Sequence, residues 1–213
     1  MREEGLSQKQ VEAIKWAEET VAKVNNDQRA FVKCKESRPI TDLKNMLETS
    51  AELFANNVAF LQKYSHKDPY TEIKYSQVME DVNGLGSALV ARGLKGKRVA
   101  VIGENCYQWA VSYLAVACGT GIVVPLDREL NAEELKNQII RAEVSGVLFA
   151  KKHETVFKQI KEDGDTPLQV LVNFNTDEET DGVCSFSQLI EEGKKLIESG
   201  NRDFLDAEII YDE

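Results

Sequence analysis

RVAVIGENCYQWAVSYLAVACGTGIVVPLD, residues 98–127, decides how the rest of the chain is read. Residues 98–103 are a short β-branched run closed by Gly103, and residues 122–126 are a second one around Pro125. Both suit strands buried in a parallel sheet. Between them a helix is expected, capped by the side chain of Asn105, carrying Trp109, Tyr113 and Val116 at helical spacing, and ended by Gly119 and Gly121. A parallel pair needs a crossover of about a dozen residues, which this interval supplies. The stretch carries no charge between Glu104 and Asp127, as would a membrane span of roughly 18 or more apolar residues. Gly119, Thr120, Gly121 and Pro125 are, however, natural punctuation for a helix turning into a strand, and the soluble reading is preferred.

Upstream, Val11, Ile14, Ala17, Val21 and Val24 predict a helix over residues 7–25 with a narrow apolar stripe, suited to packing rather than to a membrane surface. A polar connector, 29–39, precedes a second helix opened by Thr41, with Leu43, Leu47, Ala51 and Phe54 on one face. Residues 58–64 and 70–75 read as a β-hairpin. His66 falls in its turn and is read as solvated rather than catalytic. Ser76 can cap the next helix, whose apolar positions are Val78, Val82, Leu85 and Leu89, and Gly93 ends it.

Downstream, Asn131 and Glu134 form a capping box flanked by Leu130 and Leu135, and Ile139 and Ala142 continue the buried face. Residues 146–150 predict a third strand, Val156 and Ile160 a helix, and residues 168–174 a fourth strand. An acidic loop, NTDEETDG, follows, then a helix from Ser185 and Gln188 to about residue 198, and a strand is expected to begin at 209–211. Alternating strands and helices imply a three-layer α/β/α fold with a mostly parallel sheet, preceded by helices and a hairpin. Residues 1–55 are expected to form an N-terminal helical segment, and residues 56–213 the α/β subdomain.

With 213 residues, 42% hydrophobic and 29% charged, the chain can bury a core. A net charge of −10 argues against nucleic acid or an anionic membrane surface as a direct partner. The cysteines, Cys34, Cys106, Cys118 and Cys184, form no CxxC pair and read as reduced thiols; with residues 1–10 lacking a secretory apolar core, a cytoplasmic location is expected, with peripheral membrane contact left open. Ligands in such sheets sit beyond the carboxyl ends of the strands, so a site is sought in the loops after Gly103, Leu126, Ala150 and Phe174. No dinucleotide fingerprint, phosphate loop or nucleophile elbow occurs. Asp127, at a strand end, could hold a ribose or metal but is more simply a turn residue.

Three stretches, IKYSQVMEDVNGLGSAL (73–89), GLKGKRVAVIGENCYQW (93–109) and YLAVACGTGIVVPLD (113–127), resemble the N-terminal portion of adenylate-forming, AMP-binding enzymes, and the likeness runs over residues 41–149. The opening TDLKNMLETSAELFANNVAFLQK and VIGENCYQWAVSYLAV look most like bacterial long-chain fatty acid–CoA ligases, with Cys106 and Gln108 standing where arginine and glutamate are often found. The resemblance implies a full-length acyl-CoA synthetase that activates a fatty acid with ATP and Mg2+ through an acyl-adenylate and passes it to coenzyme A. It also implies that the phosphate loop, the ribose-binding acid and the catalytic lysine lie after residue 213. No catalytic, cofactor-binding or metal residue is therefore carried over, and neither ligand nor activity is expected on this chain alone. A homodimer through apolar surface left by truncation is also expected. The alternative is a non-catalytic α/β binding or interaction module of the same architecture.

Overall fold

The computed structural model describes residues 39–63 and 67–209. The helix expected over 7–25, the connector up to residue 38, His66 and residues 210–211 lie outside them. The compact unit begins at Ile40. Helix α1 (Leu43–Phe54) leads into strands β1 (Val58–Gln62) and β2 (Thr71–Lys74), an antiparallel hairpin. Helix α2 (Tyr75–Leu89) follows, then β3 (Lys97–Ile102), α3 (Tyr107–Ala115), β4 (Gly121–Pro125), α4 (Ala132–Arg141), β5 (Val144–Phe149), α5 (Glu154–Asp163), β6 (Val170–Asn173), β7 (Val183–Ser185) and α6 (Phe186–Glu198). The five strands β4-β3-β5-β6-β7 form one parallel sheet in that order.

Period-two alternation in the strands assigns the two faces. Val99 and Val101 of β3, with Leu148, Val172 and Cys184, meet α2, α3 and α6. Ala100 and Ile102, with Val147, Phe149, Leu171 and Val183, meet α4 and α5. The expected three-layer architecture is therefore present. Helix α1, placed above with the N-terminal segment, contributes Leu47 to the first of these cores. Residues Val78, Val82, Leu85 and Leu89 of α2 are all buried as their spacing predicts, and Gly93 leaves the helix with φ +83°, a conformation glycine adopts without steric cost. The capping box closes as read: Asn131 Oδ1 accepts from Glu134 N at 3.0 Å, and Glu134 Oε2 accepts from Asn131 N at 3.0 Å.

Other expectations are corrected. Asn105 does not cap α3: Cys106 holds that position without a side-chain bond, and Gln62 Oε1 from β1 accepts the Tyr107 amide at 3.1 Å. Ser76 does not cap α2, because the amides of Tyr75 and Ser76 donate to the carbonyls of Asn57 and Ala55 at 3.1 and 3.2 Å. Asp42 rather than Thr41 caps α1, accepting from Asn45 N at 2.7 Å. In α1, Leu43 and Phe54 are exposed and Leu47 alone of the helix is buried. The buried face of α3 is Tyr107, Val111, Ser112 and Ala115; Trp109 and Tyr113 are half-buried beside it, stacked at 5.5 Å. Strand β7, between the acidic loop and α6, is not among the predicted strands. Among the described residues, no helix is long and apolar enough to cross a membrane.

Helices α2 and α6 touch backbone to backbone. A Cβ on Gly193 would lie 1.7 Å from Gly84 O, and one on Gly84 would lie 2.6 Å from Ile190 O. Alanine for glycine inside a helix ordinarily stabilises by up to about 1 kcal/mol. Here Gly193→Ala is expected to reverse that sign and destabilise by about 1–3 kcal/mol, because the helices must part; urea denaturation of both proteins reads the difference. Val101→Asp, which places a charge between sheet and helices, is expected to abolish the cooperative melt.

Candidate functional site

The chain leaves β3 toward β4 on one side and returns to β5 on the other, so the topological switch point lies between the carboxyl ends of β3 and β5. That crevice is packed shut. A Cβ on Gly103 would sit 3.1 Å from Ala150 Cβ and 3.2 Å from Phe174 Cε2. Glu104 spans its mouth, bonded to Arg128 and, at 3.0 Å, to Lys152. These side chains are about half exposed, so the pairs hold the loops with little energy each. Asp127 is a turn residue: Oδ1 accepts from Glu129 N at 2.9 Å.

An open cleft lies instead beyond β6, on the α2, α3 and α6 side, with a volume of about 490 Å³. Phe174 and Phe186, packed edge to face at 5.9 Å, form its apolar wall. Its polar wall is built on Asp81, only 8% exposed. Asp81 Oδ1 accepts from Gln77 Nε2 at 2.8 Å and pairs with Lys194 Nζ at 3.2 Å, while Oδ2 accepts from Tyr107 OH at 2.8 Å. One carboxylate thus ties together three helices. Burial acts to lower the Lys194 pKa, but hydrogen bonds to Glu191 and Asp81 outweigh it and raise the pKa above the usual lysine value. The signal was legible: Asp81 lies three residues after Val78 and four before Leu85, inside the apolar stripe of α2, where a charge needs a partner.

The cysteines and lysines with shifted pKa values are not poised for covalent chemistry. Burial pushes the Cys184 thiol up to about 11, Cys118 to about 12, and Cys106 upward, whereas a nucleophilic cysteine needs a lowered pKa. Lys136, Lys158 and Lys194 are raised, opposite to an amine prepared for Schiff-base chemistry. His153 is buried and its pKa is lowered by that burial and by the Lys152 charge. No group of three or more His, Cys, Asp or Glu side chains able to hold a metal occurs among the described residues. The switch-point crevice, filled and with its cations Arg128 and Lys152 paired to Glu104, does not fit a triphosphate with Mg2+ or coenzyme A.

Residues 47–201 match the AMP-binding enzyme family profile. The crotonobetaine/carnitine–CoA ligase of Salmonella enteritidis is 25% identical over 150 residues, 70% of this chain and 29% of that protein. The long chain acyl-CoA synthetase 1 of Arabidopsis thaliana is 39% identical over 80 residues, 37% of this chain and 12% of that one. Among solved structures, a long-chain-fatty-acid–CoA ligase of Archaeoglobus fulgidus superposes with a TM-score of 0.64 at 18% identity, covering 83% of this chain and 33% of that chain. The likeness extends to the fold, and the chain spans about a third or less of each relative's length.

The cleft yields a pH-dependent expectation. Because the Lys194 pKa is higher folded than unfolded, its pairing stabilises fully below the unfolded value of about 10.4 and is lost as pH rises through the folded value. Urea titrations should therefore find Lys194→Met less stable than the parent at pH 8, by about 1 kcal/mol, and the two proteins converging at strongly alkaline pH.

Proposed function

This chain belongs to the AMP-binding enzyme family, and from that premise we propose that it is the scaffold portion of a longer AMP-forming acyl-CoA ligase. The match over residues 47–201 carries the proposal. In the whole protein the reaction is activation of a carboxylate by ATP to an acyl-adenylate, with pyrophosphate released, followed by transfer of the acyl group to the thiol of coenzyme A. A long-chain fatty acid is the proposed substrate, supported by the stretches at 41–63 and 101–116 and by the 39% identity over 80 residues to the Arabidopsis synthetase. The ATP, Mg2+ and coenzyme A contacts are assigned to the remainder of that polypeptide, because the cations of the carboxyl-end loops, Arg128 and Lys152, are paired to Glu104 across a crevice that is packed shut.

The unit's part in this reaction is positional. Its sheet ends, sealed by Gly103, Ala150 and Phe174, form a rigid platform, and rigid elements hold reacting groups more accurately than loops do. On its own it is proposed to pair with a second copy through apolar surface, since Leu53, Leu61 and Ile122 are 64%, 59% and 54% exposed. Light scattering across a range of loading concentrations should then find a species heavier than 23.9 kDa; a monomer throughout would remove that part of the proposal.

Sequencing the encoding reading frame beyond codon 213 and assaying its product tests the main reading. A continuation into a Thr/Ser/Gly-rich loop, with long-chain-acid-dependent pyrophosphate release by the continuous polypeptide and none by the 213-residue chain, is the expected result. A stop codon at that point, or release by the short chain alone, would overturn it.

A further inference from the structure

At the opposite end of the sheet from the cleft, helix α1 and the segment after α6 hold one another. Lys44 Nζ donates to the carbonyls of Leu205 and Ala207, both at 2.7 Å. Phe204 just before them is 1% exposed and lies on two glycines: a Cβ on Gly86 would meet its ring at 2.2 Å and one on Gly119 at 3.1 Å. Phe204 is thus a fixed anchor. Residues 205–209 beyond it form no strand or helix, and residues 202–207 bond mainly among themselves, through Asp206 N to Arg202 O at 2.8 Å and Ala207 N to Phe204 O at 3.1 Å.

Helix α1 is equally lightly attached. It packs on α2 and on the turn Val116–Thr120, yet buries Leu47 alone and leaves Leu43, Leu53 and Phe54 39%, 64% and 44% exposed. Cys118, in that turn, is 2% exposed, and the charges it senses are Asp42, Glu48 and Lys44, all in or beside α1. The thiol therefore lies beneath this helix. Segments with few buried apolar contacts open locally before the core does, in contiguous cooperative units.

We propose that α1 and residues 205–209 form one flap, closed by the Lys44 clamp beside the Phe204 anchor, that opens as a unit over Cys118 while the parallel sheet stays folded. The clamp couples the two halves because a single ammonium is shared by α1 and two carbonyls of the segment. Removing it frees both at once, and the buried thiol reports the opening.

Peptide-resolved hydrogen exchange and thiol labelling of the whole chain at neutral pH test this. In Lys44→Met, which keeps the methylene stem but not the ammonium, exchange in residues 43–54 and 205–209 and labelling of Cys118 should all rise by about tenfold or more, as expected when charge-assisted hydrogen bonds are lost. Amides of β3 and β5 should keep their parent rates, and Lys44→Arg, which can still donate to both carbonyls, should recover most of the protection. The proposal is overturned by unchanged Cys118 labelling, by acceleration confined to one of the two segments, or by equal acceleration in β3 and β5. A Lys44→Met protein that does not fold at all would also count against it, since the clamp would then hold the whole unit rather than a flap.

Discussion

The contact on which the rest of this structure depends is the crossing of α2 and α6 at Gly84 and Gly193. With no Cβ on either residue, the two backbones approach more closely than any side chain would allow. That approach pulls α6, the last helix, onto α2, the first helix to lie on the sheet, so elements about a hundred residues apart close one layer. Asp81 lies one turn before the crossing, and its bonds to Tyr107 and Lys194 fix the rotation of α2, α3 and α6 about it. Gly86, two residues further on, accepts the Phe204 ring. A single helix thus organises the cleft at one end of the sheet and the flap at the other.

How much of this was legible follows from where each interaction comes from. Strands β3 and β4, the apolar stripe of α2, the turn at Gly93 and the Asn131–Glu134 capping box rest on neighbours within a few residues, and they stand as read. The caps of α2 and α3 do not, because their acceptors are Asn57, Ala55 and Gln62, supplied by the hairpin and its approach, which no local pattern announces. Strand β7 is three residues long and follows an acidic loop, too short for alternation to register. Trp109 and Tyr113 are spaced correctly for a helix face, but that face stacks at the margin of the core while Tyr107, Val111 and Ala115 enter it.

The carboxyl ends of a parallel sheet are where a site is sought, and of the four loops named there the one after Phe174 lines the open cleft, while those after Gly103 and Ala150 pack against each other. Between β3 and β5 the small residues Gly103 and Ala150 are used to pack, with Phe174 closing the gap. The open space lies instead beside β6, where a satisfied carboxylate, a phenol and an ammonium meet two phenyl rings. Such a set joins helices firmly but offers no lowered thiol, no lowered amine and no cradle for phosphate. Those contacts are what the proposed scaffold role asks for, in a chain that matches an AMP-binding family while spanning under a third of a curated ligase's length.

The claim that helix–helix contact at two glycines sets the architecture has a direct spectroscopic test. In an isotope-labelled sample, nuclear Overhauser spectra should contain cross-peaks between the α-protons of Gly84 and those of Gly193, since a backbone approach of this kind brings them within the roughly 5 Å reach of the effect. Cross-peaks from Gly84 to the side chain of Ile190 should accompany them. Their absence in a folded, assigned spectrum, or cross-peaks placing Gly193 against a different helix, would contradict the account.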